Sequence, residues 1–208
     1  MLEGIEINCH SSIKIKKSKT IYIDPFRINN ETHDADYILI THSHYDHFSI
    51  EDILRINKED TIYITVEETK EKLLNIGVGE ECIVIVKPNN EYTFEGISFN
   101  TYPAYNIGKP FHPKRNDWVG YVINLDNVKY YIAGDTDDIP EIESITCDIA
   151  FLPIGGTYTM NAKKAAELAN KIDTKIAIPT HYGEIVGSKK DEEEFKGLTN
   201  KEAIILIK

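Results

Sequence analysis

Apolar positions along the chain fall in short blocks rich in Ile, Val and Tyr, separated by polar turns. In the first quarter, Ile5 to Ile7, Ile13 to Ile15 and Thr20 to Ile23 alternate with Lys-rich loops, the pattern of antiparallel strands. Asp36 to Thr41 is apolar and β-branched-rich and reads as a buried strand. Thr61 to Thr65, Ile83 to Val86, Ile97 to Thr101, Ile149 to Leu152 and Ile176 to Ile178 repeat that signal. Trp118 to Leu125 and Lys129 to Ala133 predict a hairpin about the turn-prone pair Asp126-Asn127. Helical spacing fills the gaps: Ser49 caps a helix through Ile53 and Ile56, Glu67 to Leu74 closes near Gly77, and Asn161 caps Ala162 to Ile172. A polar helix from Asp191 to about Gly197 and a closing strand from Ala203 to Ile207 finish the chain. Strands first clustered and then interleaved with helices predict two packed sheets with helices outside.

The 208 residues read as one domain, 1–208, with an ordinary 41% apolar and 27% charged content. No apolar run reaches the length of a membrane span, and the first residues show no basic region followed by an apolar one, so a cytoplasmic protein is expected. A formal net charge of −11 argues against nucleic acid or an anionic membrane as partner and leaves a small-molecule substrate. Cys9, Cys82 and Cys147 form no CxxC pair and read as buried apolar residues in a reducing compartment. Cys9 beside His10 offers a nucleophile and base in composition only, since neighbours on a strand point to opposite faces.

The chemistry concentrates in Thr41-His42-Ser43-His44-Tyr45-Asp46-His47, where a loop leaves the C-terminal end of a buried strand. Such a loop can turn His42, His44, Asp46 and His47 toward one point, and imidazoles with a carboxylate suit a zinc-like or iron-like divalent ion. Two later strand ends offer further ligands: Asp135 after Tyr130 to Gly134, and His181 after Ile176 to Thr180.

The run His42-Ser43-His44-Tyr45-Asp46-His47, with Ile23-Asp24-Pro25, Ala133-Gly134-Asp135-Thr136 and Pro179-Thr180-His181-Tyr182-Gly183, resembles the metallo-β-lactamase fold superfamily. It is most similar to the branch of metal-dependent hydrolases near ascorbate 6-phosphate lactonase and the N-acyl-phosphatidylethanolamine phospholipase D type. The resemblance implies an α/β (α+β) fold, a four-layer αββα sandwich with the metal site at one edge of the two sheets. It implies one ion on His42, His44 and a further His, a second on Asp46, His47 and His181, and Asp135 bridging. In Pro103-Ala104-Tyr105-Asn106, the segment similar to the one carrying the further His, Asn stands where His belongs. Three arrangements stay open: His112 fills the position, Asn106 holds a water there, or the first ion binds loosely.

The activity so implied is hydrolysis of an ester, lactone or phosphodiester bond by a metal-bound hydroxide. One or two divalent ions are expected, zinc first, with manganese, iron or nickel as alternatives. Asp135 and Asp46 are the catalytic carboxylates, Asp46 also handling the proton of the attacking water. Asp24 is either a turn residue or a carboxylate orienting a metal-bound His. His10 either lines the pocket or is structural, and Thr157, Tyr158 and Tyr182 are candidate pocket residues. The Gly155-Gly156 loop either walls the pocket or offers N–H groups to an oxyanion. Lys109, Lys114 and Arg115 either contact an anionic substrate or form a solvated loop. The rival functions are a non-catalytic metal-binding or partner-binding protein with a degenerate first site, and dioxygen chemistry at iron.

Overall fold

The computed structural model describes residues 1–94 and 96–207. The first sheet contains β1 (Ile5–Ile7), β2 (Ile13–Lys16), β3 (Thr20–Ile23), β4 (Tyr37–Leu39), β5 (Ile62–Thr65) and β6 (Ile83–Ile85), side by side in chain order. The second contains β7 (Glu91–Phe94), β8 (Ile97–Pro103), β9 (Val119–Leu125), β10 (Val128–Ile132), β11 (Ile149–Pro153), β12 (Ile176–Thr180) and β13 (Glu202–Ala203), also adjacent in that order. Each sheet begins with antiparallel pairs and ends with parallel ones: β3 through β6 and β10 through β13 run parallel. Helices α1 (Ile50–Ile56) and α2 (Glu67–Asn75) belong to the first half, α3 (Ala162–Lys171) and α4 (Lys189–Leu198) to the second.

The layering follows from side-chain alternation. In β3 and β4, Ile21, Ile23 and Leu39 face the space between the sheets, with Phe99, Tyr121, Ile123 and Phe151 in the same cluster. Their neighbours Tyr22 and Ile38 point the other way, into a cluster with Ile53 and Ile56 of α1 and Leu73 of α2. On the second sheet Tyr131, Ala150 and Leu152 face outward against Ala165, Leu168 and Ala169 of α3 and Phe195 of α4. Strands covered on both faces lose the polar alternation of a half-exposed sheet, which is why β4 and β12 read as unbroken apolar runs. The result is the αββα sandwich.

Beyond shifts of one or two residues at strand and helix ends, such as β8 running on to Pro103, the second sheet and its helices differ from the expectations in three elements. β7 is a strand the apolar-run reading passed over, because its alternating Glu91-Tyr92-Thr93-Phe94 is only half buried. α4 starts at Lys189, since Ser188 and Asp191 form a reciprocal capping box that makes Asp191 the third helical residue. The closing strand shrinks to Glu202–Ala203, and Ile204, Leu206 and Ile207 pack partly buried against the inter-sheet core without extending the ladder.

Direction decides where chemistry collects. β1 is antiparallel to β2 and β2 to β3, so β1, β3 and β4 share a direction; β8, β10, β11 and β12 do so in the second sheet. The loops leaving these strands carry His10, Asp24, residues 41 to 47, Asn106, His112, Asp135 and His181. The two sheets are tied at that edge by Val119 N–H donating to Thr41 O (3.1 Å) and Tyr121 O–H donating to Ile40 O (2.7 Å). Gly134 turns the chain there at φ +65°, where a Cβ would stand 3.0 Å from Val119 O and 3.2 Å from Thr41 Cβ.

Phe151, 1% exposed, packs between the sheets directly below this edge. Phe151→Ala is expected to lower stability by about 3–5 kcal/mol, read as a shift of the urea midpoint at unchanged slope; a shift below about 1 kcal/mol would mean that the sheets repack around the cavity.

Candidate metal centre

The edge gathers eight polar side chains, four from the run 42–47 and four from distant loops: His10, His42, His44, Asp46, His47, His112, Asp135 and His181. Their ligand atoms form three groups, each within 4.8 Å: His42, His44 and His112; His42, His47 and Asp135; His10, Asp46 and His181. His42 Nε2 and His44 Nδ1 stand 3.1 Å apart. Asp135 lies at the middle, with Oδ2 3.2 Å from His112 Nε2 and 3.0 Å from His181 Nε2, and Oδ1 3.3 Å from His47 Nε2. Asp46 Oδ2 is 3.6 Å from His47 Nε2 and 3.7 Å from His181 Nε2.

The nitrogen that each ring presents is set from behind. Asp24 is fully buried; its carboxylate accepts from Thr41 N–H (2.8 Å), from Thr41 O–H (2.7 Å) and from His47 Nδ1 (2.7 Å). His47 must then offer Nε2 to the centre. Thr41 Oγ1, its proton committed to Asp24, accepts from His42 Nδ1 (3.0 Å), so His42 also presents Nε2. Asp24 is therefore an orienting carboxylate as well as a turn residue, held at φ 47°.

Asn106 does for His112 what Asp24 does for His47. Its Oδ1 accepts from His112 Nδ1 (2.9 Å) and His112 N–H (3.2 Å), while its Nδ2 donates to Tyr158 O (2.9 Å), which fixes the amide orientation. Of the three arrangements left open, the geometry matches His112 in the position of the further His. Trp118, at the end of the same loop, walls this side: its ring is 4.8 Å from those of both His42 and His44 and 5.4 Å from that of His112, and its Nε1 donates to Glu68. Neither Trp118 nor Thr41 was given a role from the sequence, although Thr41 opens the His-Asp run and Trp118 borders the loop that carries His112.

Other expectations need correction. Tyr182 is buried in the outer core and donates its hydroxyl to Glu192 Oε2 (2.7 Å) of α4, so it is a packing residue rather than a pocket residue. The Gly155-Gly156 loop is no oxyanion cradle: Gly156 N–H donates to Met160 O and Thr157 N–H to Gly155 O, leaving Thr157 exposed at the turn. Tyr158 meets the centre through its carbonyl, its ring packing on Phe111. Lys109 is paired with Asp137 (2.6 Å) and Lys114 with Glu141 (2.6 Å), so two of the three basic residues are already neutralised. Burial pushes the Cys9 thiol up to about 11, and its sulfur faces Phe26 O, which disfavours a thiolate working with His10.

Several buried atoms here have no hydrogen-bond partner: both ring nitrogens of His10 and His181, Nε2 of His47 and His112, and Oδ1 of Asp135. Orphaned buried groups are costly, and so many converging nitrogen and carboxylate lone pairs fit a divalent ion of zinc-like character. Burial holds His10 and His44 below, and His42 well below, the ordinary histidine value. At His47 burial works the same way, but the Asp135 and Asp24 carboxylates outweigh it and raise the ring well above that value. Burial also opposes ionisation of Asp46, yet His10 and His47 draw it down to about 2.

The family model described as the beta-lactamase superfamily domain matches residues 5–181. The chain belongs to that superfamily and has the metallo-β-lactamase fold. A "UPF0173 metal-dependent hydrolase" of Thermococcus onnurineus is 33% identical over 95% of this chain and 92% of its own length. Its namesake from Thermoplasma volcanium is 33% identical over 91% and 87%. A crystal structure from Parabacteroides distasonis superposes with a TM-score of 0.81 at 31% identity, over 97% of this chain and 91% of that one. The metallo-beta-lactamase fold protein YhfI of Bacillus subtilis, 12% identical, shares the fold at a TM-score of 0.73 over 97% and 91%. Among the described residues no helix is long and apolar enough to cross a membrane.

Two outcomes are expected. Asn106→Ala frees the His112 ring and should weaken binding of one divalent ion by about 10–100-fold in a chelator competition titration; unchanged affinity would remove Asn106 from the centre. For the metal-free protein, His47 is protonated in the fold and opposes the trend until the unfolded ring is protonated too, well below about pH 6.5, whereas the three rings His10, His42 and His44 take up protons on unfolding and outweigh it. Stability should therefore fall as pH drops from about 7 to about 5, and a urea midpoint constant or rising over that range would contradict it.

Proposed function

We propose that the protein is a metal-dependent hydrolase working with two divalent ions, zinc the first candidate, at a carbonyl or phosphoryl centre of a small substrate. The observation that carries this reading is the position of Asp135, whose Oδ2 stands between His112 (3.2 Å) and His181 (3.0 Å) while its Oδ1 faces His47 (3.3 Å). A carboxylate so placed suits a bridge between one ion on His42, His44 and His112 and another on Asp46, His47 and His181. Bound divalent ions supply Lewis acidity and lower the pKa of a coordinated water. The chain's own groups do the rest. Asp46, 11% exposed at its side chain and drawn down to about 2, stays ionised at the site and would orient an attacking water by accepting its hydrogen bond, being too weak a base to hold that proton. Trp118 excludes solvent behind the first trio, and the Asp24–Thr41 and Asn106 hydrogen bonds keep the rings fixed through the reaction.

The degenerate, non-catalytic reading rested on Asn106 replacing a ligand; His112 beside His42 and His44 favours a complete first set instead. The anionic-substrate reading weakens as well, since Lys109 and Lys114 are held by acidic partners. The ligand loops instead expose Tyr45 (67%), Ile107 (58%) and Phe111 (40%), which favours an apolar body beside the scissile bond, an ester or lactone before a phosphodiester. The acidic net charge supports a small-molecule substrate over nucleic acid, and the three unpaired cysteines are in keeping with a reducing, cytoplasmic setting.

Metal analysis of protein prepared without chelator should give close to two ions per chain, falling toward one in His112→Ala. Asp135→Ala should lose most metal and at least about 1,000-fold in ester or lactone hydrolysis, about 4 kcal/mol of barrier. Retained turnover with full metal in Asp135→Ala would refute the centre as drawn.

A further inference from the structure

We propose that His10 is itself a ligand of the second ion, so that this site draws on His10, Asp46, His47, Asp135 and His181. The inference rests on the metal-centre reading above and extends its ligand set to a residue that the signature motifs do not include. His10 leaves β1 in the left-handed region, at φ 52°, and is completely buried. Its carbonyl accepts from His181 N–H (3.0 Å), which locks the two loops together, and its ring centroid lies 3.8 Å from that of His181.

A structural histidine buried this deeply needs a hydrogen bond at one nitrogen at least, and His10 has one at neither. Asp46 Oδ2 lies 3.3 Å from its Nε2. Charge-assisted N–H···O bonds run at about 2.7–2.9 Å, so 3.3 Å is long for an orienting hydrogen bond. Two atoms each about 2.0–2.1 Å from a shared ion stand roughly 2.9–3.4 Å apart at tetrahedral or octahedral angles. The His10–Asp46 separation lies in that range, as do Asp135–His181 at 3.0 Å and Asp135–His47 at 3.3 Å, while Asp46–His47 at 3.6 Å and Asp46–His181 at 3.7 Å correspond to wider angles at a shared ion. His10 therefore stands toward Asp46 as the other ligands stand toward Asp135. Three imidazoles and two carboxylates would make the second site richer in donors than the first, and the ion there the last to leave.

The decisive experiment labels the histidine nitrogens and loads the protein with an NMR-active cadmium isotope. Of the seven histidines, His33 is exposed and bonds Asn57 O, so six rings should show nitrogen–cadmium coupling. Five coupled rings with His10 uncoupled would overturn the proposal and leave the centre intact; no coupled ring at all would overturn both. As a second measurement, His10→Gln keeps a donor able to reach Asp46 but is a poor ligand. If His10 is a ligand, His10→Gln and His10→Ala should weaken one of two bound cobalt ions equally, by at least about 10-fold, and the other not at all. Wild-type affinity in His10→Gln with loss only in His10→Ala would reduce His10 to a positioning residue and sink the assignment.

Discussion

The carboxylate of Asp24 is sealed from water and held by Thr41 and His47, and that small cluster underlies the rest of the edge. Asp24 follows β3 and Thr41 lies just beyond β4, so their contact fixes the mouths of two parallel strands. Thr41 then reaches in three directions: its hydroxyl receives His42, its N–H meets Asp24, and its carbonyl takes Val119 N–H from the opposite sheet. One buried network thus sets sheet-to-sheet registration and the ring orientation of two ligands together. Loss of one partner would leave a buried charge unsatisfied, which is why such networks fail as units.

The topology explains why the ligands are scattered along the sequence yet converge in space. Parallel strands deliver their C-terminal ends to one side, and in each sheet the flanking antiparallel hairpins return further strands to that side. Residues 10, 24, 42 to 47, 106, 112, 135 and 181 are all loop residues immediately beyond strands or in the connection after β8. The strands supply rigidity through both-face burial, and the loops supply chemistry, so neither compromises the other.

The legible part of the sequence was what repeats or clusters. Apolar blocks placed nearly every strand, the helix caps Ser49 and Asn161 are where the sequence put them, and the dense His-Asp run marked the site. Side-chain partnerships across long separations were less legible. Asn106 looked like a lost ligand because a motif comparison sees the position and not the ring six residues later that turns back onto it. His10 looked optional because a lone histidine after a strand carries no local signal; it becomes conspicuous only once folding lays it beside Asp46 and His181. Tyr182 erred the other way, adjacent in sequence to a site residue but with its hydroxyl on α4.

The cost of assembling this edge in the absence of metal points to how the fold is completed. Six imidazoles and two carboxylates with several unpartnered atoms are forced together in a buried space, and three of the rings are held below their ordinary pKa. The apolar core between the sheets includes none of the eight polar residues of the metal centre, so its burial drives folding whether or not an ion is bound. Ion binding would nevertheless relieve the orphaned atoms and stabilise the folded chain by mass action. The loops after β4, β10 and β12 would gain most, while the strands beneath them change little, so binding should act as a local tightening of a framework that Asp24 and Thr41 have already set.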